Sequence, residues 1–199
     1  LNELRNNYKY MLHYLIKGTD DPQQEEIYNN LIRNTYKLTA DAAEAAAMKE
    51  STELFFEKMR VFSLRPPLSM DEYAEKIKKT IDTRSLLELF EQGEEKNNRT
   101  KKNEEEHEQV ITEMFYSVFV APRANKDTIA AYNRFIHDDL ISADDKSMLI
   151  SALMLNILHR FDVKKIFFLL DCCSHSHMNI SMRAIVSLIP ILQQYQKRW

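Results

Sequence analysis

An all-α fold is predicted, on three observations. The apolar residues recur at helical spacing throughout the chain, and no segment alternates as a strand would. Glycine is almost absent, with 2 Gly and 5 Pro in 199 residues, so the tight turns of a β-rich fold have little material. Two look-alike apolar segments lie 34 residues apart: Ser147-Met148 aligns with Ser181-Met182, Met154-Leu155 with Leu188-Ile189, and Ile157-Leu158 with Ile191-Leu192. A repeated helix at a fixed period marks a stacked array, in which each unit buries its face on the next.

The elements follow in order. Leu4, Tyr8, Met11, Leu12, Leu15 and Ile16 form one stripe of a first helix, Glu3 to Lys17, closed by Gly18. Asp21-Pro22 opens a second, with Ile27, Leu31, Ile32 and Leu38 on its apolar face. Asp41 and Glu44 have the spacing of a cap for a third, alanine-rich at first and then carrying Phe55, Phe56, Met59 and Phe62. Arg65-Pro66-Pro67 stops it. Ser69 with Glu72 is a capping box for a fourth helix through Ile81, and Leu86 to Phe90 make a short fifth ending near Gly93.

Residues 94–102 contain no apolar side chain and read as a charged linker between an N-terminal helical region, 1–93, and a repeat region, 103–199. Asn103 with Glu106 caps a sixth helix whose stripe runs from His107 to Phe119. A seventh spans Lys126 to His137. Ser142 with Asp145 caps the eighth, Asp162 the ninth and Asn179 the tenth. The last is apolar on nearly every side and carries Pro190 in its interior, where a backbone hydrogen bond is lost. A terminal helix of an array ordinarily turns a polar face to water, so this one calls for a cover: the rest of the fold, a partner, or further repeats.

Composition removes several classes. Net charge is -3 with a pI near 6.1, so nucleic acid or anionic lipid is not an expected partner. No apolar run reaches the roughly 18 residues that a membrane span needs. The scarcity of glycine removes nucleophile elbows and phosphate-binding loops. Two adjacent cysteines, Cys172-Cys173, do not suit a mutual disulfide, and free thiols fit a reducing cytoplasmic setting. The chain opens Leu1-Asn2-Glu3 without an initiator Met, which reads as a fragment whose N-terminus has been removed.

The C-terminal order of helices, a capped helix from Asp144 to His159, a second from Lys164 to Cys173, and a third opening Ile180-Ser181-Met182-Arg183-Ala184, resembles HEAT-like α-solenoid repeats. The run Met182-Arg183-Ala184-Ile185-Val186-Ser187-Leu188 has the shape of the second helix of such a unit. The resemblance covers Asn125 to Tyr195. It implies antiparallel helical pairs in a right-handed solenoid, and use as a surface for other proteins. The period also equals that of tetratricopeptide repeats, but their Trp, Gly and Tyr signature positions are absent.

The candidate chemistry is sparse. Cys172, Cys173, His175 and His177 put four metal-type donors in one short turn. Donors crowded on one segment do not converge on one ion, so two small buried thiols followed by a polar turn is the preferred reading, with no cofactor. Acidic pairs at Asp20-Asp21, Asp138-Asp139 and Asp144-Asp145 sit where helix caps are expected. Lys164, Lys165 and Arg183 are the candidate polar partner surface. The expected function is a non-catalytic protein-interaction scaffold, whose partner is another protein or further repeats of the same chain. A metal-binding protein or metal-dependent enzyme using the Cys172–His177 turn, and a nucleic-acid-binding helical repeat, are the alternatives.

Overall fold

The computed structural model describes residues 2–18, 23–90 and 94–196. All its regular structure is helical: α1 (Asn2–Lys17), α2 (Gln24–Glu50), α3 (Leu54–Leu64), α4 (Met70–Phe90), α5 (Glu94–Phe119), α6 (Lys126–His137), α7 (Ala143–His159), α8 (Val163–Cys172) and α9 (Met178–Tyr195). Among the described residues there is no strand, and no helix is long and apolar enough to cross a membrane. The chain divides into two compact units, Leu1–Glu57 and Lys58–Trp199.

In the first unit α1 packs on α2. Of the described members of the α1 stripe only Met11 is buried, while Tyr8, Leu12, Leu15 and Ile16 are exposed. The helix break expected at Asp41 is absent. Alanines on both sides of Asp41 carry α2 through it, and the chain breaks instead at Ser51, whose extended backbone ends α2 and whose Oγ accepts from the Glu53 N–H at 3.1 Å. Asp21-Pro22 lies outside the described residues.

The second unit holds the core. Among the described elements, the packed pairs α4–α6 and α6–α8 make one row, and α5–α7 and α7–α9 make another. The rows are joined by α4–α5, α7–α8 and α8–α9. Thus α7 has an odd-numbered helix on each flank, and it is buried deepest: Leu149, Ile150, Ala152, Leu153 and Ile157 are fully enclosed. Each large aliphatic side chain of this kind contributes about 1.5–3 kcal/mol when removed from water. Met114 of α5, Phe135 and Ile136 of α6, Ile166 and Leu169 of α8, and Ala184 and Ile191 of α9 close around it.

The capping predictions are met at α4, α7 and α8. Ser69 and Glu72 exchange hydrogen bonds at the start of α4, with the Ser69 N–H donating to the Glu72 carboxylate at 2.7 Å and the Glu72 N–H to Ser69 Oγ at 3.3 Å. Ser142 accepts from the Asp145 N–H. Asp162 accepts from the amides of Lys164 and Lys165.

The expected linker, residues 94–102, is instead the start of α5, and no unit boundary falls there. Between Glu94 and Phe119 the sequence has neither Gly nor Pro, and Lys101–Glu105 and Lys102–Glu106 fall at the i,i+4 spacing that supports a helix. With the Val110-to-Phe119 end anchored in the core, extending the helix through polar turns needs no new nucleus. Asn103 therefore lies inside α5 rather than at its cap, and donates from its amide to the Thr80 carbonyl at 2.9 Å. The short helix expected at Leu86 is likewise the end of α4. At α9 the cap position is His177, without a side-chain cap bond, and Asn179 is already helical.

Candidate interaction surface and neighbouring polar sites

The inward stripes of α7 and α9 share one register. Lys146, Ile150, Leu153 and Ile157 are buried in α7, and their counterparts 34 residues on, Ile180, Ala184, Ser187 and Ile191, are buried in α9. Two bonds pin the far end of the pair: Tyr195 Oη donates to the Ile157 carbonyl at 2.8 Å, and the Gln194 amide to the Leu158 carbonyl at 2.7 Å.

The outward stripes differ. On α9, Met178, Met182, Ile185, Val186, Ile189 and Leu192 are 44–72% exposed. They recur at i, i+4, i+7, i+8, i+11 and i+14, which is one helical face. That face carries no charge; the single charged residue of α9, Arg183, is not among them. A shallow groove of about 500 Å³ runs between α7 and α9, with Asp144, Ser147 and Met148 on one wall and Asn179, Met182 and Arg183 on the other.

The basic residues expected to line one face are not together. Lys164 and Arg183 are exposed, but Lys165 is fully buried, so Lys165 is not a surface contact. Its Nζ donates to Asn156 Oδ1 at 2.6 Å and to the Pro122 carbonyl at 2.8 Å. Burial, only partly offset by the Asp162 carboxylate, pulls its pKa down to about 8. The same cluster fixes the segment between α5 and α6. Asn156 donates to the Phe119 and Ala121 carbonyls, Arg160 to Ala121, and Asp162 accepts from the Ala124 N–H at 2.6 Å. The sequence conceals this because Lys165 and Asp162 read as ordinary residues of a helix start.

The Cys/His turn is also split. Burial pushes the Cys172 thiol up to about 12, with Cys173 and Asp171 adding to the rise, and the Cys173 thiol donates to the Leu169 carbonyl. Such thiols are poor nucleophiles. His175 leaves them and stacks on His137 at the end of α6, ring centroids 5.5 Å apart. Among the described residues no group of three or more His, Cys, Asp and Glu is arranged to hold a metal ion.

A polar pocket of about 430 Å³ lies where α4, α5 and α7 meet. There Thr80 Oγ1 lies 2.7 Å from His107 Nδ1, and His107 Nε2 lies 3.2 Å from Asp145 Oδ1. The order hydroxyl, imidazole, carboxylate is that of a nucleophilic triad. Two features oppose that use. The Thr80 side chain is only 5% exposed, and its hydroxyl is also within 2.7 Å of the Ile77 carbonyl of its own helix, to which it donates. The chain is better suited to tying three helices together. The spacing rules of helices conceal it, since Thr80, His107 and Asp145 are far apart in sequence and each has a local explanation.

Comparison with known proteins yields no matching family model, curated protein or solved structure.

Proposed function

We propose that this chain is a non-catalytic protein-interaction scaffold whose second unit is a short HEAT-like α-solenoid. Even-numbered helices stack on even and odd on odd, as in arrays built from helical pairs, and α7 and α9 repeat one inward stripe. The observation that carries the reading is the uncovered apolar face of α9. An uncharged stripe of six large side chains is costly to leave in water, and patches of this kind mark association surfaces.

The test is reconstitution. Proteins captured by the full chain from its source cells are identified, purified and recombined with it. A scaffold forms a defined stoichiometric complex with at least one of them, and Ile189→Glu abolishes that complex while circular dichroism stays unchanged. Turnover of a substrate that is lost on substituting residues of the Thr80–His107–Asp145 pocket would replace this reading with an enzymatic one.

A further inference from the structure

The turn between α8 and α9 is held by a bond that exists only while the His175 ring is neutral. The backbone N–H of His177 donates to His175 Nδ1 at 3.0 Å. A ring nitrogen that accepts carries no proton, so the single proton of the neutral imidazole is on Nε2. From there the ring donates to the Ile136 carbonyl near the end of α6. The ring thus accepts from one segment and donates to another. It also lies almost flat on His137, with centroids 5.5 Å apart and planes 16° from parallel.

The residue so held is the one on which α9 starts. His177 is the cap position of α9 and makes no side-chain cap bond. Its carbonyl accepts from the amides of Ile180 at 3.1 Å and Ser181 at 3.2 Å. His175 therefore positions the first turn of α9 through the His177 backbone. The charges facing the ring oppose a second proton on it: His137 from α6, the buried Lys146 from α7 and His177 from its own turn. The carboxylate next to His137, Asp138, is engaged by Lys78 of α4 at 3.2 Å and by the charge of Lys146. Asp171, at the end of α8, is exposed.

We infer that His175 is an acid-sensitive latch: a proton taken up at Nδ1 releases the His177 amide and loosens the first turn of α9. The cationic ring is a donor at both nitrogens, so the His177 N–H then meets an N–H in place of an acceptor. A positive charge is also set against His137 and Lys146. The latch is closed above pH 6.5, the ordinary imidazole value, and opens as pH falls below it. Its opening reaches the groove between α7 and α9, because Asn179 and Met182 on the α9 wall follow directly on this turn.

Residue-resolved hydrogen exchange of the full chain by NMR tests this, from pH 7.5 to 5 and corrected for the intrinsic rate at each pH. Protection of the His177, Ile180 and Ser181 amides is expected to fall severalfold towards pH 5, while that of Ile166 at the start of α8 holds. His175→Asn should abolish the fall, since its side-chain oxygen is as many bonds from the backbone as Nδ1 and accepts at every pH in the range. His177→Ala keeps its N–H and should keep the fall. Unchanged protection in the native chain overturns the inference. So does a fall that persists in His175→Asn, or one spread equally over α4 to α8, which is general acid unfolding. A further measurement needs no variant: nitrogen-15 spectra at neutral pH should place the His175 proton on Nε2, and a proton on Nδ1 rejects the latch.

Discussion

Lys165 Nζ donates to the side-chain carbonyl of Asn156 at 2.6 Å, and both residues are fully buried. The ammonium is held by two other carbonyls, of Pro122 and Ala121, and by the Asp162 carboxylate 3.9 Å away. Removing one partner of such a set leaves polar atoms buried and unpaired, which costs more than the set contributes as a whole. Lys165→Met is expected to destabilise the protein by about 3 kcal/mol, a fall in Tm of roughly 6–12 °C for a chain of this size. Lys164→Met, one residue away and exposed, stays within about 0.5 kcal/mol. Thermal unfolding of the two variants side by side decides it.

The same lysine fixes a pH dependence. Its folded pKa, about 8, is below the ordinary 10.5. Below pH 8 both states hold the proton and the group adds no slope. Between about 8 and 10.5 the unfolded chain binds a proton that the folded chain has released, so stability contributed by this site rises with pH. The buried Cys172 thiol, raised from 9 to about 12, works the other way above pH 9, so the rise is read as the difference between native protein and Lys165→Met in denaturant titrations across this window.

His175 supplies the opposite end of the pH range. Burial first, then the stacked His137 ring, Lys146 and His177, lower its pKa from 6.5, against a hydrogen bond to the Ile136 carbonyl that raises it. A base with a depressed folded pKa takes up its proton earlier in the unfolded chain. Its contribution to stability is therefore intact above pH 6.5 and declines as pH falls below that value. His175→Phe keeps a ring against His137 and removes the titration, so the acid-side decline should flatten. Urea midpoints measured from pH 7.5 down to 5 test this; an unchanged slope in the variant rejects it.

Asp145 does two jobs at once: its Oδ2 accepts from Ser142 Oγ at 2.8 Å at the start of α7, while Oδ1 meets His107 of α5. Asp145→Ala keeps the backbone cap bond but is expected to cost about 2–3 kcal/mol from the lost acceptor of the Ser142 hydroxyl and the lost partner of a part-buried imidazole. His107→Leu removes the second interaction together with the Thr80 contact, and leaves the Ser142 bond in place. A double-mutant cycle between them should give a coupling of about 0.5–3 kcal/mol. A coupling near zero would mean that the Asp145 side chain acts through Ser142 alone.

How much of this was legible in the chain depends on whether the cause is local. The caps at Ser69, Ser142 and Asp162 were readable, because a side chain bonding an amide two or three residues on is a local event. Residues 94–102 were misread because the linker reading weighs polarity, whereas helix formation there follows from the absence of Gly and Pro and from the anchored end at Phe119. The α9 face was legible as an excess of apolar residues, and the structure adds which of them remain open. Lys165 was misplaced for the opposite reason. Its partners, Asn156 and the 121–122 carbonyls, come from other elements, and nothing in its own helix signals burial.

Pro190 lies within α9 and carries no N–H to donate to the Val186 carbonyl. A proline in a helix interior costs about 3 kcal/mol relative to alanine. Part of this is offset because proline also restricts the unfolded chain, an effect of about 0.4–1 kcal/mol. Pro190→Ala should therefore stabilise the protein by roughly 2 kcal/mol at most, and raise Tm by a few degrees. Its side chain is only partly buried, so little packing is lost.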